Sequence, residues 1–329
     1  MNEPLLRVRN LRKYFVQRAG LLKQHKQYLH AVDGVSFDIF RGETLGLVGE
    51  SGCGKSTLAK TLLRLYEPDA GAIHFDGETI FDSEQKQKMP REQMRQMRQR
   101  VQMIFQDPYD SLNARHTIGD IIEEPLLVHG IGNRVERRAA VIKLLDQVGL
   151  PQSSLDRFPH EFSGGQRQRV GIARAIALKP KFVVCDEAVS ALDVSIQAQI
   201  INLLLELRSS LNLSLLFISH DLSVVRHLSD RVAVMYLGEI VELAPAATIY
   251  QQARHPYTQY LIASIPKPIP EANKLLAPLN GEVPSPLNPP SGCRFHTRCP
   301  KAQPKCSIEK PTLEIVASDA QHQVACHFA

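Results

Sequence analysis

A chain of 329 residues, 43% hydrophobic and 22% charged, is long enough for about two domains and a sizeable core. Its net charge of +5 is mild, and scattered surface lysines and arginines account for it without an anionic partner. The longest apolar runs, Leu213 to Ile218 and Phe182 to Cys185, fall far short of a membrane span. The charged N-terminus lacks the apolar segment of a secretory signal, so the sequence predicts a cytosolic chain without disulfides.

Leu5 to Phe15 and Ala31 to Phe40 read as strands, rich in β-branched and aromatic residues. Between them Gln17 to His30 is basic and aperiodic, and is expected to be a surface excursion. The apolar run Leu45-Gly46-Leu47-Val48 leads into Gly49-Glu50-Ser51-Gly52-Cys53-Gly54-Lys55-Ser56-Thr57, and a helical pattern follows. Strand, Gly-rich loop and helix are the context a Walker A phosphate loop requires. Its glycines let backbone N–H groups surround phosphate oxygens, and the helix N-terminus adds donors. Lys55 is expected to hold the phosphates of a nucleotide and the Ser56 hydroxyl to ligate Mg²⁺. Cys53, beside Lys55, is expected to be an alkylation target that nucleotide protects.

Gly71 to Gly77 reads as a strand, Lys86 to Arg100 as a basic helix with a solvated face, and Val101 to Phe105 as a strand delivering Gln106. From Asp107 to Phe162 apolar residues recur at helical spacing, which predicts a helical subdomain over 107–162. Gly149-Leu150-Pro151 is expected to stop one of its helices. Ser163-Gly164-Gly165-Gln166 opens another helix, Phe182 to Asp186 is a buried-strand run, and Ser190 to Asp193 precedes a third helix. Leu213 to Ser219 is a strand ending at His220, and Arg231 to Ala244 a hairpin turning at Gly238. Alternating strands and helices predict an α/β fold with a predominantly parallel sheet. More than half of the 21 prolines fall between Pro266 and Pro311, so 267–329 is expected to be a loop-rich extension after a first domain over 1–266.

Ligands of open α/β sheets bind at strand ends, where these polar groups fall. Asp186 suits Mg²⁺, Glu187 could orient or deprotonate an attacking water, Gln106 could contact both, and His220 could reach a γ-phosphate. Each could alone be a satisfied structural group; together, in this order, they resemble the nucleotide-binding subunit of an ATP-binding-cassette (ABC) transporter. Gly49 to Thr57 matches Walker A, Gln106 the Q-loop, Ser163 to Gln166 the signature, Asp186-Glu187 Walker B with its catalytic glutamate, Ser190 to Asp193 the D-loop and His220 the switch histidine.

Arg254-His255-Pro256-Tyr257-Thr258, the stretch from Gly281 to Pro286 and the C-terminal cysteines are similar to the ATPase subunits of bacterial dipeptide and oligopeptide importers, with the N-terminal excursion favouring the dipeptide branch. Ala188 departs from the family, which usually has proline there.

The resemblance implies a P-loop cassette: a RecA-like parallel-sheet core, an antiparallel β-subdomain and an inserted helical subdomain. It implies ATP and Mg²⁺, with Phe15 (Tyr14 the fallback) stacking on adenine. Two subunits would close head to tail over two ATP molecules, with Ser163, Gly165 and Asp193 of one near the nucleotide of the other. Partners implied are two membrane-spanning permeases, a second, related ATPase subunit and, indirectly, a secreted substrate-binding protein. That places the chain peripherally on the cytoplasmic face of the bacterial inner membrane. Peptide export, metal uptake and a soluble nucleic-acid-related cassette are the alternatives; the last usually carries two cassettes per chain, so no nucleic acid is expected. Cys293, Cys299, Cys306 and Cys326 could be core thiols, disulfides or metal ligands. Their spacing matches neither common zinc pairs nor ferredoxin runs, and the resemblance implies a [4Fe–4S] cluster, with zinc as the alternative.

Overall fold

The computed structural model describes residues 3–19, 25–265, 282–317 and 319–329. The expected boundary at 266/267, Gly281 and the middle of the 17–30 segment lie outside the described residues. The strands are β1 (Leu6–Ala19), β2 (His25–Ile39), β3 (Thr44–Val48), β4 (Ala70–Phe75), β5 (Glu78–Asp82), β6 (Gln87–Lys88), β7 (Val101–Ile104), β8 (Phe182–Asp186), β9 (Ser214–Ser219), β10 (Arg231–Tyr236), β11 (Glu239–Pro245), β12 (Glu314–Val316) and β13 (Asp319–Val324). The helices are α1 (Lys55–Leu62), α2 (Arg91–Arg100), α3 (Pro108–Ser111), α4 (Ile118–Val128), α5 (Arg134–Gln147), α6 (Gly164–Ile176), α7 (Val194–Leu211), α8 (Leu222–Leu228), α9 (Ala246–Gln252), α10 (Pro256–Ala263) and α11 (Pro304–Ile308). They fall into two compact units.

The first unit takes Met1–Ile39, Leu45–Lys88 and Ser219–Ala329. One sheet in it, ordered β2-β1-β4-β5-β6, is antiparallel throughout. In β1, Leu6, Val8 and Leu11 are buried while Arg7 and Arg9 are exposed, the alternation of a strand with one face on a core. The shift between Val8 and Leu11 is a bulge, where Asn10 takes a left-handed φ of 46°.

The expected excursion over 17–30 is corrected here. β1 and β2 continue their ladder through Val16↔Tyr28 and Gln17↔Gln27 to Ala19↔His25. Val16 and Tyr28 are both exposed, so backbone pairing holds the hairpin without a buried face, and no apolar period marks it. The helix expected from Lys86 is shorter too. Gln87 and Lys88 pair with Asp82 and Phe81, and α2 starts only after Pro90, because a residue preceding proline is driven out of the helical region. Met94 and Met97 are its buried residues; the rest of the helix is largely solvated, as expected.

The same unit joins β12-β13-β11-β10-β3 edge to edge. β3 runs parallel to β10, with Leu45 opposite Arg231 and Val48 opposite Val234, and every residue of β3 is buried. A strand covered on both faces reads as a continuous apolar run. β10 and β11 form the expected hairpin, turning through Leu237 and Gly238 at positive φ. The C-terminal extension is more than loops: α11 lies in it, and β13 pairs with β11 through Glu242↔Val324. Burying a short strand on an existing sheet lets a segment with little core of its own stay ordered.

The second unit takes Phe40–Thr44 and Met89–Ile218. Its strands β7, β8 and β9 are parallel, with Met103 opposite Val184 and Asp186 opposite Ile218. α4, α5 and α6 each begin with a capping box, Thr117/Asp120, Asn133/Glu136 and Ser163/Gln166, which satisfies backbone donors that the first turn leaves unpaired. Gly149 at φ 69° follows α5, the stop read from the sequence. Among the described residues no helix is long and apolar enough to cross a membrane.

Candidate functional site

The phosphate loop leaves β3 at Gly49 and enters α1 at Gly54. A Cβ at Gly49 would stand 2.2 Å from the Met235 carbonyl oxygen, and one at Gly54 would stand 2.0 Å from that of Ala31. Only glycine fits either place. Lys55 is buried, and its Nζ donates to the carbonyls of Gly49 (2.8 Å) and Glu50 (3.0 Å). The chain thus folds the ammonium back over the loop, where oxygen atoms surround it. Ser51 and Gly52 are exposed, and Ser56 and Thr57, in the first turn of α1, are half-buried.

Cys53 corrects an expectation. It is 5% exposed, and burial pushes its thiol up despite the Lys55 ammonium. A reactive cysteine has the opposite character, exposed and low in pKa.

Glu50 is tied from outside the loop. Its N–H donates to the Tyr257 hydroxyl at 2.9 Å, and its two carboxylate oxygens accept from Arg298 at 2.8 and 3.2 Å. On β1, the Phe15 ring is half-buried and edge-on to Tyr66 at 5.2 Å. The neighbouring Tyr14 instead donates its hydroxyl to Asp33 at 2.6 Å; burial and this bond push it up to about 12. His220, also in this unit, is exposed directly after β9.

The second unit brings Gln106 and Glu187 together: Gln106 Nε2 donates to Glu187 Oε2 at 2.8 Å. Asp186 ends β8 at 3% exposure. Glu187 takes a left-handed φ of 48°, a conformation that costs a non-glycine residue roughly 1 kcal/mol and persists where its surroundings fix it. Those surroundings are explicit. Glu187 N–H donates to Ile218 O at 3.0 Å, and Glu187 O accepts from Ser190 N–H at 3.1 Å and Ser190 Oγ at 3.0 Å. Ala188 is 2% exposed, so packing and Ser190 close the turn where the family usually has proline.

Ser163 caps α6, its N–H donating to Gln166 Oε1 at 3.0 Å. A Cβ on Gly165 would lie 2.4 Å from Ile196 Cγ2, whereas one on Gly164 would meet Leu192 only at 3.4 Å. Gly165 is therefore required for close helix packing. Asp193 caps α7 by accepting from Ile196 N–H at 3.0 Å and Ser195 Oγ at 2.7 Å. The Ser195 hydroxyl holds its carboxyl below the usual range.

Cys293, Cys299, Cys306 and Cys326 line one small cavity in the first unit, with Phe295 and His255 on its walls. Burial, reinforced by the neighbouring thiols, pushes Cys293 up to about 11, and Cys299 and Cys326 also rise. Among the described residues no group of three or more His, Cys, Asp or Glu is disposed to hold a metal ion. That arrangement supports neither the expected [4Fe–4S] cluster nor its zinc alternative.

These features recur in known proteins. The oligopeptide transport ATP-binding protein AppF of Bacillus subtilis is 51% identical over 329 residues, covering 99% of this chain and 98% of its own. The chain belongs to the ABC transporter family. The ABC transporter family model matches residues 32–190, and a model of the oligopeptide/dipeptide transporter C-terminal region matches 241–306. A putative peptide import ATP-binding protein of Brucella ovis is 51% identical over 313 residues, 95% of each chain. Among solved structures, CbiO1 of Clostridium perfringens, part of a cbiONQ transporter complex, superimposes with a TM-score of 0.64 at 26% identity, covering 76% of this chain and 92% of its own. A dimeric ATP-binding cassette with ADP and phosphate gives 0.63 at 25% identity, covering 73% and 98%.

Sequence reasoning singled out Tyr257 within Arg254–Thr258 but not its bond to Glu50, and it missed Arg298 and the buried pair Glu242–His322 (2.7 Å). Glu242, 0% exposed, also accepts from the N–H groups of Arg254 (2.7 Å) and His255 (3.1 Å). A buried carboxylate persists only when its oxygens are satisfied in this way. No local signal marks Glu242 or His322. Arg298 could have drawn notice only as an arginine beside Cys299.

Proposed function

We propose that this ABC ATPase hydrolyses ATP to drive peptide import through a pair of membrane-spanning permeases. The observation that carries the reading is the Gln106–Glu187 hydrogen bond at the ends of β7 and β8, in a chain aligned end to end with an oligopeptide transport ATP-binding protein. Lys55 and the loop N–H groups bind the β- and γ-phosphates. Glu187 accepts a proton from the attacking water, and Gln106 holds that carboxylate in place. Ser56, Asp186 and Gln106 would hold Mg²⁺, which neutralises phosphate charge. Their hydroxyl, carboxylate and amide oxygens are the hard donors this ion takes, one or two carboxylates sufficing when phosphates complete the shell.

The subunit acts in a pair. Ser163 and the N-terminus of α6 supply donors to an ATP held by the partner cassette, so ATP favours the closed pair through contacts that the open pair lacks. His220 reaches the γ-phosphate, Phe15 stacks on adenine and Asp193 lies along the shared interface. The partner is a second, related ATPase subunit. A secreted binding protein delivers the peptide, and the complex places this chain on the cytoplasmic face of the inner membrane. The helices between residues 107 and 162 pass closure to the permeases.

The four cysteines are proposed to hold a [4Fe–4S] cluster. Four thiols lining one small cavity are the donor set such a cluster takes. When bound it would supply a structural staple or a one-electron site. The test of the function is uptake by vesicles containing the whole transporter. ATP-dependent accumulation of labelled di- and oligopeptides is expected, abolished by Glu187→Gln. Uptake unaffected by that substitution, or transport confined to metal ions, would overturn it.

A further inference from the structure

We propose that Arg298 is a positioning residue of the ATP site: by holding both carboxylate oxygens of Glu50, it keeps the Lys55 ammonium clear for phosphates. The inference rests on the reading of Gly49–Thr57 as an ATP site.

Arg298 belongs to the C-terminal extension, 248 residues from Glu50, yet its guanidinium forks onto that carboxylate at 2.8 and 3.2 Å. Its side chain is 7% exposed and that of Glu50 25%. A bidentate pair shielded from water is geometrically specific. Glu50 lies between Gly49 and Ser51, in a stretch where the nearby glycines impose little local restraint. Its C=O accepts from Lys55 Nζ at 3.0 Å, so the carboxylate hangs from the residue the ammonium already touches. Freed from Arg298, a carboxylate there would compete with phosphate for the Lys55 charge.

The turn carrying Arg298 is built to hold it. Bonds from His296 N–H to Cys293 O and from Arg298 N–H to Phe295 O, both 3.0 Å, wind the turn. Phe295 packs on Tyr236 at 5.3 Å and on Tyr257 at 5.4 Å, and Tyr257 is the residue that holds Glu50 N–H. Arg294, in the same turn, bonds to Leu237 O and Asp33 and pairs with Glu239 at 2.6 Å. Gly238, next to Leu237, donates to Cys53 O at 2.8 Å. The extension therefore grips the phosphate loop at Glu50 and braces the hairpin turn behind it.

The test measures ATP affinity on the full-length chain together with its unfolding midpoint. Arg298→Ala is expected to weaken ATP binding roughly tenfold or more, as loss of a charged hydrogen-bonded partner does. Arg298→Lys should recover part of it, returning the charge without the fork. Adding Glu50→Gln to Arg298→Ala should restore affinity, because an amide does not compete for the ammonium; a merely structural arginine would not be rescued. Arg298→Gln replaces the alanine variant, with the same expected outcomes, if the latter does not fold. Wild-type affinity in Arg298→Ala, or a double variant that binds no better than the single, would overturn the proposal. Failure of the wild-type chain to bind ATP, or undiminished binding by Lys55→Ala, would instead sink the ATP-site reading itself.

Discussion

Gln106 Nε2 donates to Glu187 Oε2 at 2.8 Å, joining a residue two positions beyond the end of β7 to the one that follows β8. The two strands are parallel neighbours in register, Ile104 opposite Cys185, so their C-terminal ends deliver both side chains to one place. A neutral amide donor fixes the carboxylate without neutralising it by an ion pair, which suits a group that must take a proton from water.

Replacing Glu187 with Gln should lower single-turnover ATP hydrolysis by about 10²- to 10⁴-fold, the usual worth of a general base, while leaving ATP binding intact. Gln106→Ala should cost less, because it loosens the carboxylate without removing it. In a double-mutant cycle the part of the Gln106 effect that acts through Glu187 should vanish in the Glu187→Gln background, leaving only what Gln106 contributes at Mg²⁺. Fully additive losses would mean that Gln106 does not act through Glu187.

Lys55→Ala should reduce ATP affinity by about 10²-fold, since a buried point charge at the phosphates is lost; equilibrium binding reads this directly. Alkylation supplies a second check on the same loop. Cys53 is buried with its thiol pushed up, so iodoacetamide at neutral pH should modify it far more slowly than an exposed thiol. Fast modification followed by peptide mapping to Cys53 would contradict the loop geometry.

His255 makes stability depend on pH. Burial lowers it to about 4, against roughly 6.5 in an unfolded chain. Between these values the unfolded state binds the extra proton, so stability is full above about pH 6.5 and is lost as pH falls towards 4. The Nδ1 atom accepts from Tyr257 N–H at 3.1 Å, a helix cap that protonation there would break. Denaturant unfolding at pH 7.5 and pH 5 should show a larger loss in wild type than in His255→Asn, which keeps a capping oxygen and does not titrate. Equal losses would refute the assignment.

Chain purified without oxygen should be brown and carry iron and acid-labile sulfide, given four thiols on one cavity. Replacing Cys293 or Cys299 with serine should bleach it and lower the unfolding midpoint of the extension. Because both residues flank the Arg294–Arg298 turn, ATP affinity should weaken as well. Colourless protein with an unchanged midpoint after all four replacements would remove the cluster.

The sequence alone was sufficient for whatever is decided within a few residues. The Gly49–Thr57 loop needs glycine where backbone crowds it, Ser163 and Gln166 cap α6 at a spacing of one helical turn, and the unbroken apolar runs of β3 and β8 announce strands buried on both faces. What packing decides was not legible there. The arms Val16–Ala19 and His25–Tyr28 pair through backbone groups that every residue carries, so side-chain pattern is silent about them. Gln106 meets Glu187 across 81 residues and Arg298 meets Glu50 across 248, each because strands and turns from distant parts of the chain end side by side. Local preference acts over the length of a turn, whereas burial and charge pairing act through space, so tertiary structure alone chose the partners that hold this site.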